Sequence, residues 1–487
     1  MKDENYYIVN RKVPFMRPLS IFDKNRNSQV IELPYDLALK YAEEMNKENQ
    51  CDDFYCISVN EWIEKVNSPE YDNLNKKMRK FWDNINLDEL LPDDIKLQKK
   101  EYEELHDKNI NGFILPQEVG EDKDYLPTLE KIFSEYYNYI HNKKAFEEYN
   151  IDNDVKKITS DIIKAIKEYY LGNISNAQCI ICEIIENCIK NDSTQFLLSE
   201  LDKNYAFRGI APFDNIRDMN VDYKKQAEYE LSFFKARQGK VESRVNMVHI
   251  PLDSRGLIST QRFSIAGIPC IYLGVTSYVC WLELRKPTDS EFNVSAFKFN
   301  EDGKKLKILN LVISEALING MGNLNENISY SKRLQSEMLK IWPLVCATSF
   351  RVNDESRKFK SEYIVSQLIM MNLKKLGIDG VAYLSKQVKD DFQYPFTVNL
   401  ALPVCDINNS KYGDICNNFE LTLPSNFSKY TKIMNSHIDK NSYINECYQN
   451  GFHSQVYFDN ERIKYSDIVF SEFDNYLVSS DFSKYNT

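Results

Sequence analysis

The sequence contains no run of basic residues and no apolar segment of about 18 residues, the length that spans a bilayer. Its formal net charge is −11, so its surface should repel a phosphate backbone and nucleic acid is disfavoured as a partner. The N-terminal residues Met-Lys-Asp-Glu-Asn-Tyr-Tyr are too polar for a signal peptide. We therefore expect a cytoplasmic protein without a membrane partner.

The sequence also lacks the clustered ligands of a metal site. Its 11 cysteines are scattered, and Cys179-Ile-Ile-Cys182 is not joined by a second cysteine pair or a histidine pair. The pair lies in a helical pattern, where positions three apart share a face. These cysteines are therefore predicted to be structural, and no metal is expected.

A length of 487 residues favours two or three domains. Residues 1–200 are predicted to form a mainly helical regulatory or oligomerisation domain. Its clearest feature is a pair of apolar stripes at helical spacing on either side of Gly172-Asn173, typical of a helical hairpin. We expect a homo-oligomer formed through these helices. Residues 406–487, rich in Asn, Ser, Tyr and Asp, are predicted to be an appended element of unassigned role.

Residues 205–405 alternate strand-like and helical patterns, which predicts an α+β catalytic domain. The predicted strands are 205–210, 245–250, 270–274, 294–299, 306–311, 380–384 and 397–404. The predicted helices are 222–237, 276–285, 330–343 and 358–376.

Four polar residues of this domain are candidates for chemistry, because ionisable groups in apolar segments are costly unless paired or used. Arg262 precedes a Gly-Ile-Pro turn, Tyr272 lies on the next strand, Glu283 follows in a helical stretch, and Ser385 ends a later strand. Each also has a structural interpretation. Arg262 could pair with a nearby acid, Tyr272 could be core, Glu283 could be a surface residue, and Ser385 could sit in a turn.

The block from Val248 to Gly274, followed by Cys280-Trp-Leu-Glu283, resembles the RES domain, a family named for an arginine, a glutamate and a serine. In that family an arginine precedes a tyrosine by ten residues, and a glutamate follows the tyrosine by eleven. Arg262, Tyr272 and Glu283 keep both spacings. The segment Gly380-Val-Ala-Tyr-Leu-Ser385 resembles the serine motif of the family.

RES domains also carry an earlier arginine on their first strand. Lys235 occupies the expected position here, so Arg237, two residues on and on the same face of a strand, is favoured to replace it. Arg208 is the second candidate.

The resemblance implies an ADP-ribosyltransferase-like fold and an enzyme that breaks the nicotinamide–ribose bond of NAD by phosphorolysis or hydrolysis. Glu283 would stabilise the positive charge on the ribose, as a carboxylate does in glycoside hydrolysis. Arg262 and the earlier cation would bind the pyrophosphate or recruit inorganic phosphate as co-substrate. Tyr272 would pack on nicotinamide or ribose, and Ser385 would orient the nicotinamide end. No cofactor beyond NAD as substrate is implied.

Such an enzyme would act as a toxin or an anti-phage effector, and small members of the family pair with an antitoxin. An antitoxin or regulatory protein is therefore a possible partner. Two alternatives stay open: a mono-ADP-ribosyltransferase that modifies a macromolecule, and a domain that binds a nucleotide without turnover, to which the lysine at position 235 points.

Overall fold

The computed structural model forms two compact units, Met1–Lys100 and Glu101–Thr487. The residues that the structure describes are short segments within 5–61 and the ranges 113–142, 148–208, 230–313, 328–354, 356–388, 394–405, 411–433, 455–458, 461–465 and 468–486. Residues 209–210 and 222–229, parts of a predicted strand and a predicted helix, lie outside these ranges. The division falls near residue 100, whereas the sequence predicted a first boundary near residue 200.

The described part of the first unit contains strands, although residues 1–200 were expected to be mainly helical. These strands are β1 (Asn5–Asn10), β2 (Ser20–Phe22), β3 (Ser28–Val30), β4 (Leu33–Pro34) and β5 (Phe54–Ser58). β1 lies between β4 and β5 in an antiparallel sheet, and β2 pairs with β3.

Among the described residues, the second unit is built on a long mixed sheet of nine strands and also contains two short strand pairs, β6 with β12 and β17 with β18. The strands are β6 (Gln117–Glu118), β7 (Leu198–Glu200), β8 (Ser232–Gln238), β9 (Cys270–Gly274), β10 (Phe292–Phe299), β11 (Lys307–Leu311), β12 (Phe350–Arg351), β13 (Gly380–Leu384), β14 (Val398–Pro403), β15 (Phe419–Leu421), β16 (Ser425–Asn426), β17 (Gln455–Phe458) and β18 (Glu461–Lys464). The order in the sheet is β15-β10-β8-β9-β14-β13-β11-β7, with β16 also paired to β10. β11 and β13 run parallel and their neighbours antiparallel, so the α+β class predicted from the sequence is confirmed.

Helices cover this sheet. They are α1 (Tyr125–His141), α2 (Ile151–Tyr170), α3 (Ile174–Asn191), α4 (Tyr205–Arg208), α5 (Ser277–Glu283), α6 (Ile328–Ala347), α7 (Ile364–Asn372), α8 (Phe427–Ile433) and α9 (Val469–Val478). α2 and α3 form the predicted hairpin, and their apolar faces pack on α6 and α7 within the same chain. The hydroxyls of Tyr125 and Tyr136 on α1 each donate to a carbonyl of α6 at 2.7 Å. The helices therefore share one hydrophobic core with the sheet instead of forming a separate domain.

Several predicted elements have another form. Residues 232–237 were expected to end a helix but belong to β8, which lies between β10 and β9. Phe233 and Phe234 are fully buried there, and burial in a central strand outweighs the local preference for helix. The predicted strand at 205–210 begins as α4, and that at 245–250 begins as a 3₁₀ turn, Arg244–Met247.

The C-terminal residues are part of the second unit rather than an appendage. β15 and β16 extend the sheet by pairing with β10, and α9 packs against α5. A second hydrophobic core joins α5, β10 and the C-terminal segment. No helix among the described residues combines the length and the apolar character needed to cross a membrane.

Candidate functional site

A cavity of about 580 Å³ opens where β8, β9, β14 and the end of β13 approach α5. Its volume lies within the range of small-molecule sites. Its charged lining residues are Glu283, Lys235, Arg237, Arg262, Arg285, Arg351 and Lys386. The cavity therefore combines one carboxylate with several cations, although the chain as a whole is acidic.

Helix α5 carries Glu283 as its last residue, and the local sequence sets both ends of the helix. Thr276 caps the first turn by accepting the Val279 N–H at 3.1 Å. Arg285 ends the helix in a left-handed conformation, with φ of 62°, and the N–H groups of Arg285 and Lys286 bond back into the helix as in a Schellman motif. Gly274 permits close packing before the helix, since a Cβ there would lie 2.3 Å from a methyl of Val279.

The carboxylate of Glu283 faces the cavity and is held by a strand across the sheet. Asn399 of β14, itself buried, donates its amide to Oε1 of Glu283 at 2.6 Å. The side chain is accessible through the cavity, yet protein atoms surround it, and this burial raises the pKa of Glu283. The hydroxyl of Ser385, the Asn399 amide and the charges of Arg262 and Lys386 act in the opposite direction and lower the pKa.

Ser385 follows directly after β13 and is buried, with 1% of its surface exposed. Its backbone N–H donates to Thr397 O at 2.8 Å, and its Oγ accepts the Gln387 N–H at 3.1 Å. These bonds fix the turn that brings the hydroxyl near Glu283. The structure thus brings Ser385 and Glu283, about a hundred residues apart in the sequence, to one site.

Lys235 and Arg237 lie two residues apart on β8 and both line the cavity. Lys235 is only 9% exposed, and it makes no hydrogen bond or ion pair with the described residues. Burial, assisted by the charge of Arg237, lowers its pKa to about 8. Arg237 donates from Nη2 to Val248 O at 3.0 Å, while its buried Nε has no partner among the described residues. Two cations without carboxylate partners favour an anion at this end of the cavity.

Arg262 also lines the cavity, but its guanidinium is engaged by the backbone. Nη1 donates to Thr348 O at 3.1 Å and to Glu362 O at 3.0 Å, and Nη2 donates to Phe350 O. The guanidinium lies over the Tyr363 ring, 4.8 Å from its centroid. In this structure Arg262 therefore supports the cavity wall, whereas the sequence predicted that it binds the pyrophosphate.

Three tyrosines give the cavity aromatic surface. Tyr272 on β9 is partly buried and donates its hydroxyl to Phe263 O at 2.8 Å. Tyr383 on β13 packs against Phe263, with ring centroids 4.3 Å apart, and the ring of Tyr363 stacks with the guanidinium of Arg262. Burial raises the pKa of all three hydroxyls, so they remain neutral donors near neutral pH.

Arg208, the second candidate for the upstream cation, is not among the cavity residues. It ends α4 and forms an ion pair with Asp202, donating also to Asp202 O at 2.5 Å. The structure places Lys235 and Arg237 at the cavity instead.

Sequence reasoning overlooked several residues of the site. Asn399 is a buried polar residue within an apolar strand, which was the available signal. Lys386 donates to Ser349 Oγ at 2.6 Å next to Ser385. His249 is buried, and its Nε2 accepts the Gly413 N–H at 3.2 Å, so Nδ1 donates to Ile250 O at 2.7 Å. His249 is thus a neutral residue whose pKa is lowered by burial.

Neither a metal site nor a disulfide occurs among the described residues. No group of three or more His, Cys, Asp or Glu side chains there is arranged around a metal ion. Cys182 is buried in the helical core and Cys179 is exposed.

The fold and the cavity define an α+β protein whose site combines a carboxylate held by an amide, two cations that form no ion pair with the described residues, and tyrosine rings. No family model matches the chain, and no solved structure matches it. The chain is 28% identical, over 300 residues, to a Bacillus subtilis (strain 168) protein named "Putative toxin YopC". The match covers 58% of this chain and 61% of the relative, so the chain spans about three fifths of the length of that protein.

Proposed function

We propose that this protein is a toxin-type enzyme that cleaves the nicotinamide–ribose bond of NAD. The observation that carries the proposal is the carboxylate of Glu283, held by Asn399 at 2.6 Å in a cavity that also contains Lys235 and Arg237, which form no ion pair with the described residues. The name of the Bacillus subtilis relative supports the toxin role. The resemblance of the segments around Arg262, Glu283 and Ser385 to the RES domain supports NAD as substrate.

The residues suit the charge changes of the reaction. As nicotinamide leaves with the electrons of the C–N bond, positive charge develops on the ribose, and water or phosphate then bonds to the same carbon. An ionised Glu283 that accepts a ribose hydroxyl stabilises this charge more strongly in the transition state than in the ground state. Lys235 and Arg237 would hold the pyrophosphate, and Tyr272, Tyr363 and Tyr383 would pack against the rings.

The test is product analysis with the purified chain and NAD, in the presence and absence of phosphate. Free ADP-ribose indicates hydrolysis, ADP-ribose 1″-phosphate indicates phosphorolysis, and label retained on a macromolecule would instead indicate ADP-ribose transfer. Glu283→Gln should reduce the rate by at least ~100-fold, the usual effect of removing a group that stabilises transition-state charge. Glu420→Gln, an exposed position on β15, is the matched control. Intact NAD after incubation with the wild type would contradict the proposal.

A toxin that depletes NAD must be restrained in the cell that makes it. We therefore propose that an antitoxin or regulatory protein binds this chain. Purification after expression with the neighbouring genes, compared with expression alone, tests for such a partner.

A further inference from the structure

Asp474, on the C-terminal helix α9, lies at the start of the helix that carries Glu283. Its Oδ1 accepts the Ser277 N–H, the first of α5, at 3.0 Å, and its Oδ2 accepts the Tyr465 hydroxyl at 2.6 Å. Asp474 is fully buried and forms no ion pair with the described residues. The other titratable groups close enough to influence it, Cys280 and Tyr430, are neutral.

A buried carboxylate without a cation is costly, and here burial raises the pKa of Asp474 to about 7. Replacement by an apolar residue would remove that cost, so a role other than packing has to explain a carboxylate at position 474. The two hydrogen bonds provide such a role, because the bond from Ser277 joins the first turn of α5 to a segment 197 residues later in the chain, and the bond from Tyr465 holds the Asp474 carboxyl in place within that segment.

The rest of α5 rests on the same C-terminal segment. The Tyr278 hydroxyl donates to Tyr457 O at 2.6 Å, and the ring of Trp281 lies 5.3 Å from that of Phe470. The helix has only seven residues, so its own hydrogen bonds hold it weakly. Its position therefore depends on contacts with its surroundings.

We propose that Asp474 is a positioning residue: by holding the first turn of α5 it sets the place of Glu283 in the cavity, and the C-terminal segment thereby becomes part of the active site. The catalytic part of this inference rests on the proposed function. The structural part, that Asp474 holds α5, does not depend on any substrate.

Four variants separate the contributions. Asp474→Ala removes both hydrogen bonds, and Tyr465→Phe removes one of them without opening a large cavity. Asp474→Asn keeps an acceptor for Ser277 and a polar group for Tyr465, so it should rescue the alanine defect. Glu472→Gln makes the same acid-to-amide change at an exposed position of α9 and is the control.

Hydrogen exchange of residues 277–284, measured by mass spectrometry, reports on α5 without substrate. We expect Asp474→Ala to accelerate it by about tenfold or more, the effect of leaving a buried hydrogen-bonding group unpaired, while residues 151–170 keep their protection. Tyr465→Phe should have a smaller effect in the same direction. The kcat for NAD cleavage should fall in parallel while KM stays within about threefold, because Lys235 and Arg237 bind elsewhere in the cavity.

Unchanged exchange at 277–284 in both Asp474→Ala and Tyr465→Phe overturns the inference, whatever the activity. Faster exchange with unchanged kcat also overturns it, since loosening α5 would then have no effect on the position of Glu283 in the cavity. If Asp474→Ala does not fold, Tyr465→Phe decides. A wild type that leaves NAD intact refutes the proposed function alone, and the exchange data still decide whether Asp474 holds α5.

Discussion

Lys235 offers the sharpest test of the proposed anion site, because its buried charge should lower the free energy of unfolding while it helps to bind an anion. The side chain is 9% exposed and has no hydrogen bond or ion pair with the described residues. Lowering its pKa from 10.5 to about 8 corresponds to ~3 kcal/mol of free energy. Replacement by methionine keeps most of the volume and removes the charge. We therefore expect Lys235→Met to raise the free energy of unfolding at pH 7 by up to ~3 kcal/mol.

The pH dependence gives this prediction a sign. Near pH 7 Lys235 is protonated in both states, so the folded protein bears the full cost of burying the charge. Between about pH 8 and 10.5 the unfolded chain retains a proton that the folded protein has released, so stability rises with pH. Lys235→Met should lack this rise, and its advantage over the wild type should disappear above that range.

Urea denaturation at pH 7, 8.5 and 10, with Lys240→Met as an exposed control, measures these differences. Added pyrophosphate should stabilise the wild type more than Lys235→Met, because the variant keeps only Arg237 of the two cations proposed to bind the anion. A variant that is less stable than the wild type at pH 7, or that keeps the alkaline rise, would refute the reasoning. A variant that is stabilised by pyrophosphate as strongly as the wild type would refute the assignment of Lys235 to the anion.

Three further predictions follow from the site. Burial raises the pKa of Glu283, and the proposed reaction uses its ionised form. The kcat/KM for NAD cleavage should therefore decline with acidity at a midpoint above pH 4.5, and full activity below this pH would contradict the proposal. Arg262→Lys should lower the free energy of unfolding by about 2–4 kcal/mol, since one ammonium cannot serve three carbonyls; an unchanged thermal midpoint would show that Arg262 does not support the wall. Because the pKa of Asp474 is raised to about 7 in the folded protein, its contribution to the free energy of unfolding is largest below pH 4 and falls by ~4 kcal/mol as the pH rises to about 7. Denaturation curves of Asp474→Asn should lack this decline, and an identical decline in the variant would contradict the prediction.

Local sequence patterns predicted the central elements of the site well. Strand β9 has the predicted bounds, and α5 lies within the predicted helix, because a Gly-Ile-Pro turn and a threonine cap delimit them in the sequence itself. The approach of Ser385 to Glu283 could be expected only from the resemblance to a known family. Neither spacing nor periodicity indicates which strand ends meet in space.

Where the sequence was misleading, tertiary contacts decide the outcome. Residues 232–237 have a helical pattern, yet β8 lies between two strands, where Phe233 and Phe234 are fully buried. The guanidinium of Arg262 was expected to bind a phosphate, and the structure shows it donating to carbonyls of a segment about ninety residues later. No sequence pattern distinguishes an arginine that binds a ligand from one that binds backbone oxygens.

The distance in sequence between α5 and its Asp474 anchor has a consequence for the order of events on the ribosome. Asp474 follows Ser277 by 197 residues, which at 5–20 residues per second takes roughly 10–40 s to synthesise. During that interval the nascent chain contains Glu283, but the helix that carries it lacks its anchor. The segment that positions the helix is thus translated after it, and the proposed activity would reach its full level only after Asp474 has emerged and folded.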